Sequence, residues 1–259
     1  NSFFVAAVST TIVIAVAFVY AYALTRTRVR FKGFFKIMAM VPLLSPSLLK
    51  AIALIYWFGN QGVLKDLLMG HSIYGPIGII MGSVFWTFPH AVLMISTALA
   101  ISDMRLYEAA DILKAGKVRT FFTVTLPGAR YGLISATIVV FILIFTDFGV
   151  PKVIGGNYNV LATDIYKEVI GQQNFEMGAV VSVVLLIPAV LAFGIDRFVT
   201  RKQTALLSAR AVPYAPRPNR WLDNSMLLFC AVVTALTIAV LGMAQYAALV
   251  KFWPYNLEF

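Results

Sequence analysis

The sequence predicts an all-α, polytopic membrane protein with about six transmembrane helices. Three observations support this class: 60% of the 259 residues are hydrophobic, only 12% are charged, and long apolar runs recur along the chain. The runs lack the alternation of polar and apolar residues that strands show. An open sheet in lipid would also leave backbone groups without hydrogen bonds. We therefore expect helices in every membrane segment.

The apolar runs divide into six segments of about the length that a helix needs to cross the hydrocarbon core, roughly 20 residues. They are Phe3–Leu24, Phe34–Phe58, Gly75–Ile101, Leu133–Val150, Met177–Val199 and Ser225–Val250. The second segment contains Pro42 and Pro46, which we expect to bend its helix, because proline removes a backbone hydrogen bond.

The basic residues of the connections alternate in number along the chain. The first, third and fifth connections carry five, five and six Lys or Arg residues, whereas the second, the fourth and the C-terminal tail carry one, two and one. The positive-inside rule predicts that the three basic connections face the cytoplasm. Asn1 and Phe259 are then expected on the outer side. The net charge of +10 follows from this topology, so we expect no nucleic acid partner.

The fifth connection contains the stretch AVPYAPRPNR, Ala211–Arg220. Its three prolines disfavour a helix and predict an extended linker between two helical units. The chain begins with Asn1 and shows no signal peptide, so we expect it to be a piece of a longer polypeptide.

The third connection predicts two short helices at the cytoplasmic surface. Ser102 or Asp103 is a candidate N-cap, and Leu126-Pro127 is expected to end the second helix. Apolar residues recur at helical spacing on both sides of Gly116: Leu106, Ala110 and Leu113 before it, and Val118, Phe121 and Phe122 after it. Two interpretations follow from these residues alone: a helix lying on the lipid headgroups, or a docking surface for a soluble partner.

The same connection resembles the cytoplasmic signature loop of ABC importer permeases, through Glu108-Ala109-Ala110 followed by Phe121, Val124 and Leu126-Pro127. The resemblance implies a type I ABC importer permease fold in a bacterial inner membrane. In that family the loop inserts into a cleft of the ATP-hydrolysing subunit. The implied coupling residues are Glu108, Ala109, Ala110, Lys114, Ala115, Gly116, Phe121, Val124, Leu126 and Pro127, with Glu108 meeting a basic group of the ATPase.

One position departs from the family pattern. The family usually has glycine six residues after the glutamate, where this chain has Lys114, and a glycine follows at Gly116. We therefore expect the turn between the two short helices to be shifted toward Gly116.

The chain has no Walker A motif, since Gly116-Lys117 is followed by Val118 rather than Ser or Thr. The resemblance therefore implies that a separate cytoplasmic ABC ATPase dimer uses the ATP and that this chain binds no cofactor. It also implies a periplasmic solute-binding protein and a second permease half as partners. An integral membrane enzyme and an ATP-independent transporter or channel remain as alternatives, although no nucleophile–base or carboxylate pair has a suitable spacing.

Three further stretches resemble chains that carry two fused permeases of the 2-aminoethylphosphonate or iron(III) type: VPLLSPSLLKAIALIYWFGNQG, TDFGVPKVIGGNYNVLATDIYKEVIGQQNFEMGA and ALLSARAVPY. The resemblance favours 2-aminoethylphosphonate as the substrate, with iron(III) as the alternative. With FWPYNLEF at its end, the chain is expected to hold five helices of one permease (1–200), a proline-rich linker (201–222) and the first helix of a second permease (223–259).

Two charged residues in or near the membrane segments are candidates for the translocation path. Lys50 either extends its side chain to the outer interface or faces the path and attracts an anionic phosphonate. Asp147 either pairs with Lys50, meets a substrate amine, or is a polar helix end. His71, His90 and the single Cys230 are far apart in the sequence, so we expect no metal site and no disulfide.

Overall fold

The computed structural model describes residues 1–205, 212 and 214–251, and every regular element in these residues is helical. The predicted all-α class is therefore confirmed. In chain order the helices are α1 (Ser2–Arg26), α2 (Lys32–Met40), α3 (Ser47–Phe58), α4 (Pro76–Ala100), α5 (Met104–Ile112), α6 (Lys117–Thr120), α7 (Leu126–Phe145), α8 (Gly149–Ile154), α9 (Leu161–Tyr166), α10 (Phe175–Ala205) and α11 (Arg220–Leu249).

Within the described residues, five stretches are long and apolar enough to cross a membrane: α1, α4, the run Lys117–Phe145, α10 and α11. A sixth crossing exists if α2 and α3 together form one span. The predicted number of about six transmembrane helices agrees with this count. The linker residues Ala211 and Pro213 and the stretch FWPYNLEF lie outside the described residues.

The second predicted segment, Phe34–Phe58, is a broken helix rather than a bent one. A 3₁₀ turn at Val41–Leu44 follows α2, and the chain then turns by 102° before α3 begins at Ser47. Pro46 has extended backbone angles, φ −67° and ψ 157°, immediately before α3. Proline at the start of a helix is tolerated because its missing N–H would have no helical partner there. Two prolines four residues apart therefore divide the segment in two.

The predicted start of the fourth segment, Leu133, is wrong. A helix runs without a break from Lys117 to Phe145, 29 residues. It includes a π-helical turn at Phe121–Thr125, where the Leu126 N–H donates to the Phe121 carbonyl. Pro127, which was expected to end a helix, lies directly after this turn. A wider turn of this kind commonly accommodates a residue that disturbs regular helical bonding.

Contacts between connections place the chain's basic connections at one end of the molecule. The backbone N–H of Arg28 donates to Asp223 Oδ1 over 2.8 Å, and the N–H of Val212 donates to Asp103 Oδ1 over 3.3 Å. At the opposite end, the N–H of Leu161 donates to Ser2 Oγ over 2.8 Å. The first, third and fifth connections therefore share what we call the basic end.

Helix α1 packs mainly against α4 and α7, while α11 packs against α1, α2 and α3. Two glycines of α4 allow another helix to approach it closely. A Cβ atom at Gly78 would lie 2.8 Å from the side chain of Ile154, and one at Gly82 would lie 2.6 Å from Val150. Helix α8 therefore packs directly on the backbone of α4. Helix α10 packs against α7 and α9 and leaves most of its apolar side chains exposed.

Candidate functional site

The third connection folds as two short helices joined by a tight turn. Asp103 caps α5, because its Oδ1 accepts a hydrogen bond from the Arg105 N–H over 3.0 Å. Leu113 closes α5, and its N–H donates to the Ala109 carbonyl. Gly116 precedes α6, which continues through the π-helical turn into α7. We call residues 103–127 the coupling loop, after the role that the resemblance implies.

The turn between α5 and α6 is not shifted toward Gly116, so that expectation is wrong. Lys114 itself adopts the left-handed conformation, with φ +53°. Gly116 has φ −64° and ψ 159°, which any residue adopts. The left-handed position therefore lies six residues after Glu108, where the family pattern has glycine. A lysine at this position is strained, because a Cβ atom disfavours the left-handed region.

The predicted apolar stripe on α5 does not form one buried face. Ala110 is 7% exposed and packs inward with Tyr107, which is 8% exposed, whereas Leu106 and Leu113 are exposed. Tyrosine was not counted among the apolar residues of the stripe. Its ring provides the buried contact, so the inward face of α5 is rotated from the predicted one.

The buried side of the coupling loop is attached to the bundle by aromatic side chains. The Tyr107 hydroxyl donates to Thr125 Oγ1 over 3.0 Å, which joins α5 to the π-helical turn. The Phe121 ring packs edge-on against the rings of Phe18 and Tyr22 of α1, with centroids 5.9 and 6.0 Å apart. Sequence reasoning found Phe121 but missed Tyr107 and Thr125.

The coupling loop also carries exposed apolar side chains on both of its helices. Five of them are between 55% and 81% exposed, and we call them the apolar patch: Leu106, Ile112, Leu113, Val118 and Phe122. Glu108 is exposed beside Ala109 and forms no ion pair with another described residue. The other predicted coupling residues are exposed at Lys114, Gly116 and Pro127, and partly buried at Ala115, Phe121, Val124 and Leu126.

Lys50 does not extend to the outer interface. Its residue is only 1% exposed, and its Nζ donates to the Ser45 carbonyl over 2.7 Å, within the break between α2 and α3. The space beside it, lined by Pro42, Phe85 and Thr237, has a volume of about 10 Å³, which is enough for one water at most. In this structure Lys50 therefore does not line an open path.

Asp147 acts as a structural acceptor. Its Oδ1 accepts from Ser47 Oγ over 2.8 Å, and its Oδ2 accepts from the Val150 N–H over 3.0 Å. The carboxylate thus joins the start of α3 to the start of α8. It forms no ion pair with Lys50 in the described structure, although Ser45 and Ser47 place both side chains at the same break. Sequence reasoning left this pairing open, and the structure gives each residue its own partner.

A further polar pair connects α7 and α10. Ser135 is buried, and its Oγ donates to the carboxylate of Asp196. Sequence reasoning missed this contact, because nothing in the spacing of two residues 61 positions apart shows that they meet. Among the described residues, no group of three or more His, Cys, Asp or Glu side chains is arranged to hold a metal ion.

Comparisons with known proteins give a consistent result. A family model described as "Binding-protein-dependent transport system inner membrane component" matches residues 13–205. A protein of Haemophilus influenzae named for ferric transport is 27% identical over 234 residues, which are 85% of this chain and 37% of that one. The chain therefore spans little more than a third of that relative.

Relatives named for other substrates match as well. The molybdenum transport system permease protein ModB of Azotobacter vinelandii is 33% identical over 156 residues, 59% of this chain and 69% of that one. The spermidine/putrescine transport system permease protein PotB of Haemophilus influenzae is 25% identical over 196 residues, 72% of this chain and 68% of that one.

Proposed function

Because this chain belongs to the family of binding-protein-dependent transport system inner membrane components, we propose that it is the membrane-spanning part of an ATP-driven importer. A solute-binding protein outside the membrane delivers a small solute, and a separate ABC ATPase dimer in the cytoplasm supplies the energy. The basic end of the molecule then faces the cytoplasm, in accordance with the positive-inside rule. The ATPase uses ATP, and this chain passes the solute.

The apolar patch on the coupling loop is the observation that carries this proposal. Its side chains are exposed, whereas Tyr107 and Ala110 of the same helix pair are buried. A helix lying on lipid would instead place its apolar side chains against the membrane. Exposed apolar residues on a firmly attached helix pair are typical of a protein–protein contact. The patch at the basic end therefore favours a cytoplasmic protein partner.

The ATPase would act on the membrane helices through the coupling loop. Nucleotide binding moves the ATPase subunits, and the subunit cleft holds the apolar patch while Glu108 meets a basic group. Because α6 continues into α7 as one helix, a displacement of the loop also moves a membrane span. Transport then follows from a shift of population between inward- and outward-facing arrangements.

A charge reversal tests this coupling in the full-length parent protein. Glu108→Lys should abolish ATP-driven uptake while the protein still inserts into the membrane. Glu176→Lys is the matched control, because Glu176 is an exposed carboxylate at the opposite end of the molecule. Normal uptake by Glu108→Lys would contradict coupling through this loop. An ATP-independent transporter or channel would not need the Glu108–Pro127 loop for coupling and would keep its activity in Glu108→Lys.

The proposed substrate is 2-aminoethylphosphonate, supported by the resemblance of residues 41–62 and 146–179 to permeases of that type. The relatives described above are named for ferric iron, molybdenum and polyamines, so iron(III) is the competing substrate. Deleting the parent gene distinguishes the two. Loss of growth only when 2-aminoethylphosphonate is the sole phosphorus source supports the phosphonate, and failure only under iron limitation assigns iron(III) instead.

We also propose that residues 1–200 belong to one permease unit, 201–222 to a linker and 223–259 to the start of a second unit. The supporting observation is the nonhelical backbone of residues 214–219, after which α11 packs against α1, α2 and α3. In that contact, Trp57 Nε1 donates to the Ala239 carbonyl over 3.1 Å. Expressing residues 1–205 and 214–259 as two chains tests the division, since independent units should still assemble.

A further inference from the structure

The described part of the linker lies directly on the coupling loop. We call residues 212 and 214–217 the strap. The strap lies between α10 and α11 in the sequence, and it contacts both ends of α5. The inference below rests on the proposed function, because it concerns how the coupling loop is held.

Contacts at both ends of α5 attach the strap to this helix. At the start of the helix, the Met104 N–H donates to the Val212 carbonyl over 2.9 Å, and the Val212 N–H donates to Asp103. At its end, Arg217 Nη1 lies 2.5 Å from Asp111 Oδ2. Both of these side chains are largely exposed, so this ion pair contributes little alone. The described residues of the strap nevertheless contact both ends of the helix.

The centre of the strap is attached by aromatic rings around a buried cation. The Tyr214 ring packs against the Tyr107 ring of α5, with centroids 4.6 Å apart. The guanidinium carbon of Arg26 lies 4.3 Å from the Tyr214 centroid and 5.1 Å from the Tyr107 centroid. Burial raises the pKa of Tyr214 above its ordinary value, so the contact is a cation–π interaction with a neutral ring.

Arg26 connects this cluster to the bundle. It is the last residue of α1, is only 4% exposed, and donates from Nη2 to the Leu99 carbonyl of α4 over 2.6 Å. Its Nε and Nη1 are buried without a hydrogen-bond partner among the described residues. The two tyrosine rings and the Leu99 carbonyl therefore stabilise the buried charge, which makes it costly to remove either ring.

The strap is fixed on its other side to the first basic connection and to α11. Arg28 Nε donates to the Pro216 carbonyl over 2.9 Å. The Arg28 N–H donates to Asp223 Oδ1, and the Asn219 N–H donates to Asp223 Oδ2 over 3.0 Å. Asp223 lies in the first turn of α11. The strap thus joins α5, the end of α1 and the start of α11 in one set of contacts.

We propose that the strap positions the coupling loop, with the Tyr214 ring as its anchor, and links movements of α5 to α11. Tyr214 is a positioning residue in this view, since it acts through Tyr107 and Arg26 rather than by touching the ATPase. A linker that only tethered two units would need no such contacts. The segment that joins the two helical units would therefore also set the geometry at which one of them meets the ATPase.

The first test measures docking of the strap in membranes containing the full-length parent protein. Asp111→Cys with Arg217→Cys should react efficiently with a short bismaleimide, read as the crosslinked peptide pair by mass spectrometry. Glu176→Cys with Arg217→Cys is the control, because these positions lie at opposite ends. Adding Tyr214→Ala should lower the 111–217 crosslinking yield by roughly fivefold, whereas Tyr214→Phe should keep it. An absent crosslink, or a yield unchanged by Tyr214→Ala, overturns the strap.

The second test measures coupling in the assembled transporter. Tyr214→Ala should lower the stimulation of ATP hydrolysis by the loaded binding protein, and Tyr214→Phe should restore it, because only the ring is needed. Unchanged stimulation in Tyr214→Ala overturns the positioning role. The crosslinking yield does not depend on transport. Efficient crosslinking together with normal uptake by Glu108→Lys would therefore reject the coupling function and leave the docking of the strap intact.

Discussion

The Nζ of Lys50 donates to the Ser45 carbonyl across the break between α2 and α3, over 2.7 Å. A helix break leaves carbonyl groups without their usual partners, and lipid offers no replacement. A lysine five residues further along satisfies one of them from within. The charge in this apolar segment is thus explained by the break itself, which the two prolines produce.

Replacing Lys50 by methionine should destabilise the protein by about 1–3 kcal/mol, because the Ser45 carbonyl would lose its donor while remaining buried. Thermal unfolding of the detergent-solubilised parent protein measures the effect. Lys65→Met is the control, since Lys65 is exposed. Unchanged stability together with lost uptake would instead place Lys50 on the translocation path.

Replacing Lys114 by glycine should stabilise the coupling loop by up to about 1 kcal/mol. The left-handed conformation costs a residue with a Cβ atom roughly 1–2 kcal/mol, and the greater freedom of glycine in the unfolded chain offsets part of the gain. Denaturant unfolding compares the variant with Gly116→Ala, which should change little because a Cβ there meets nothing within 4 Å. A large loss in Gly116→Ala would place the strained turn at Gly116.

Replacing Leu113 by aspartate should sharply reduce binding of the ATPase while leaving stability within about 0.5 kcal/mol, because the side chain is 81% exposed. Co-purification of the ATPase with the parent protein measures the change. Ile170→Asp is the matched control, an exposed apolar residue at the opposite end. Equal ATPase recovery from both variants would mean that the apolar patch is not the docking surface.

Ser135 and Asp196 should show a favourable coupling energy of about 1 kcal/mol in a double-mutant cycle, since a hydrogen bond to a carboxylate between two spans is stronger than a neutral one. The cycle uses Ser135→Ala, Asp196→Ala and the double variant, with thermal unfolding as the measurement. Additive effects would show that the contact between α7 and α10 contributes nothing to stability.

The sequence predicted those features that depend on local pattern. Apolar length identified the spans. The alternation of basic connections identified the end of the molecule at which the contacts of Arg28, Asp103 and Val212 lie. The predicted helix pair around Gly116 is present, with Asp103 as its cap. The orientation relative to the cytoplasm and the coupling roles stay predictions.

Features that depend on tertiary contacts were not predictable in the same way. The buried face of α5 is set by Tyr107, whose partners Thr125 and Arg26 are distant in the sequence. The buried position of Lys50 depends on a 102° turn of the chain, which the two prolines predicted only as a bend. Lys114 adopts a conformation that its residue type disfavours, and the glycine of the family pattern at this position was the one indication of it.

The continuous helix Lys117–Phe145 also has a mechanical consequence. At 1.5 Å per residue, its 29 residues form a rod about 43 Å long. If one end were held, a tilt of about 5° would displace the other end by about 4 Å, a distance comparable to a helical turn. The coupling loop lies at one end of this helix, and the other end lies at the opposite face of the molecule. A small tilt of the helix at the coupling loop would therefore displace the helix end at the opposite face by several ångströms.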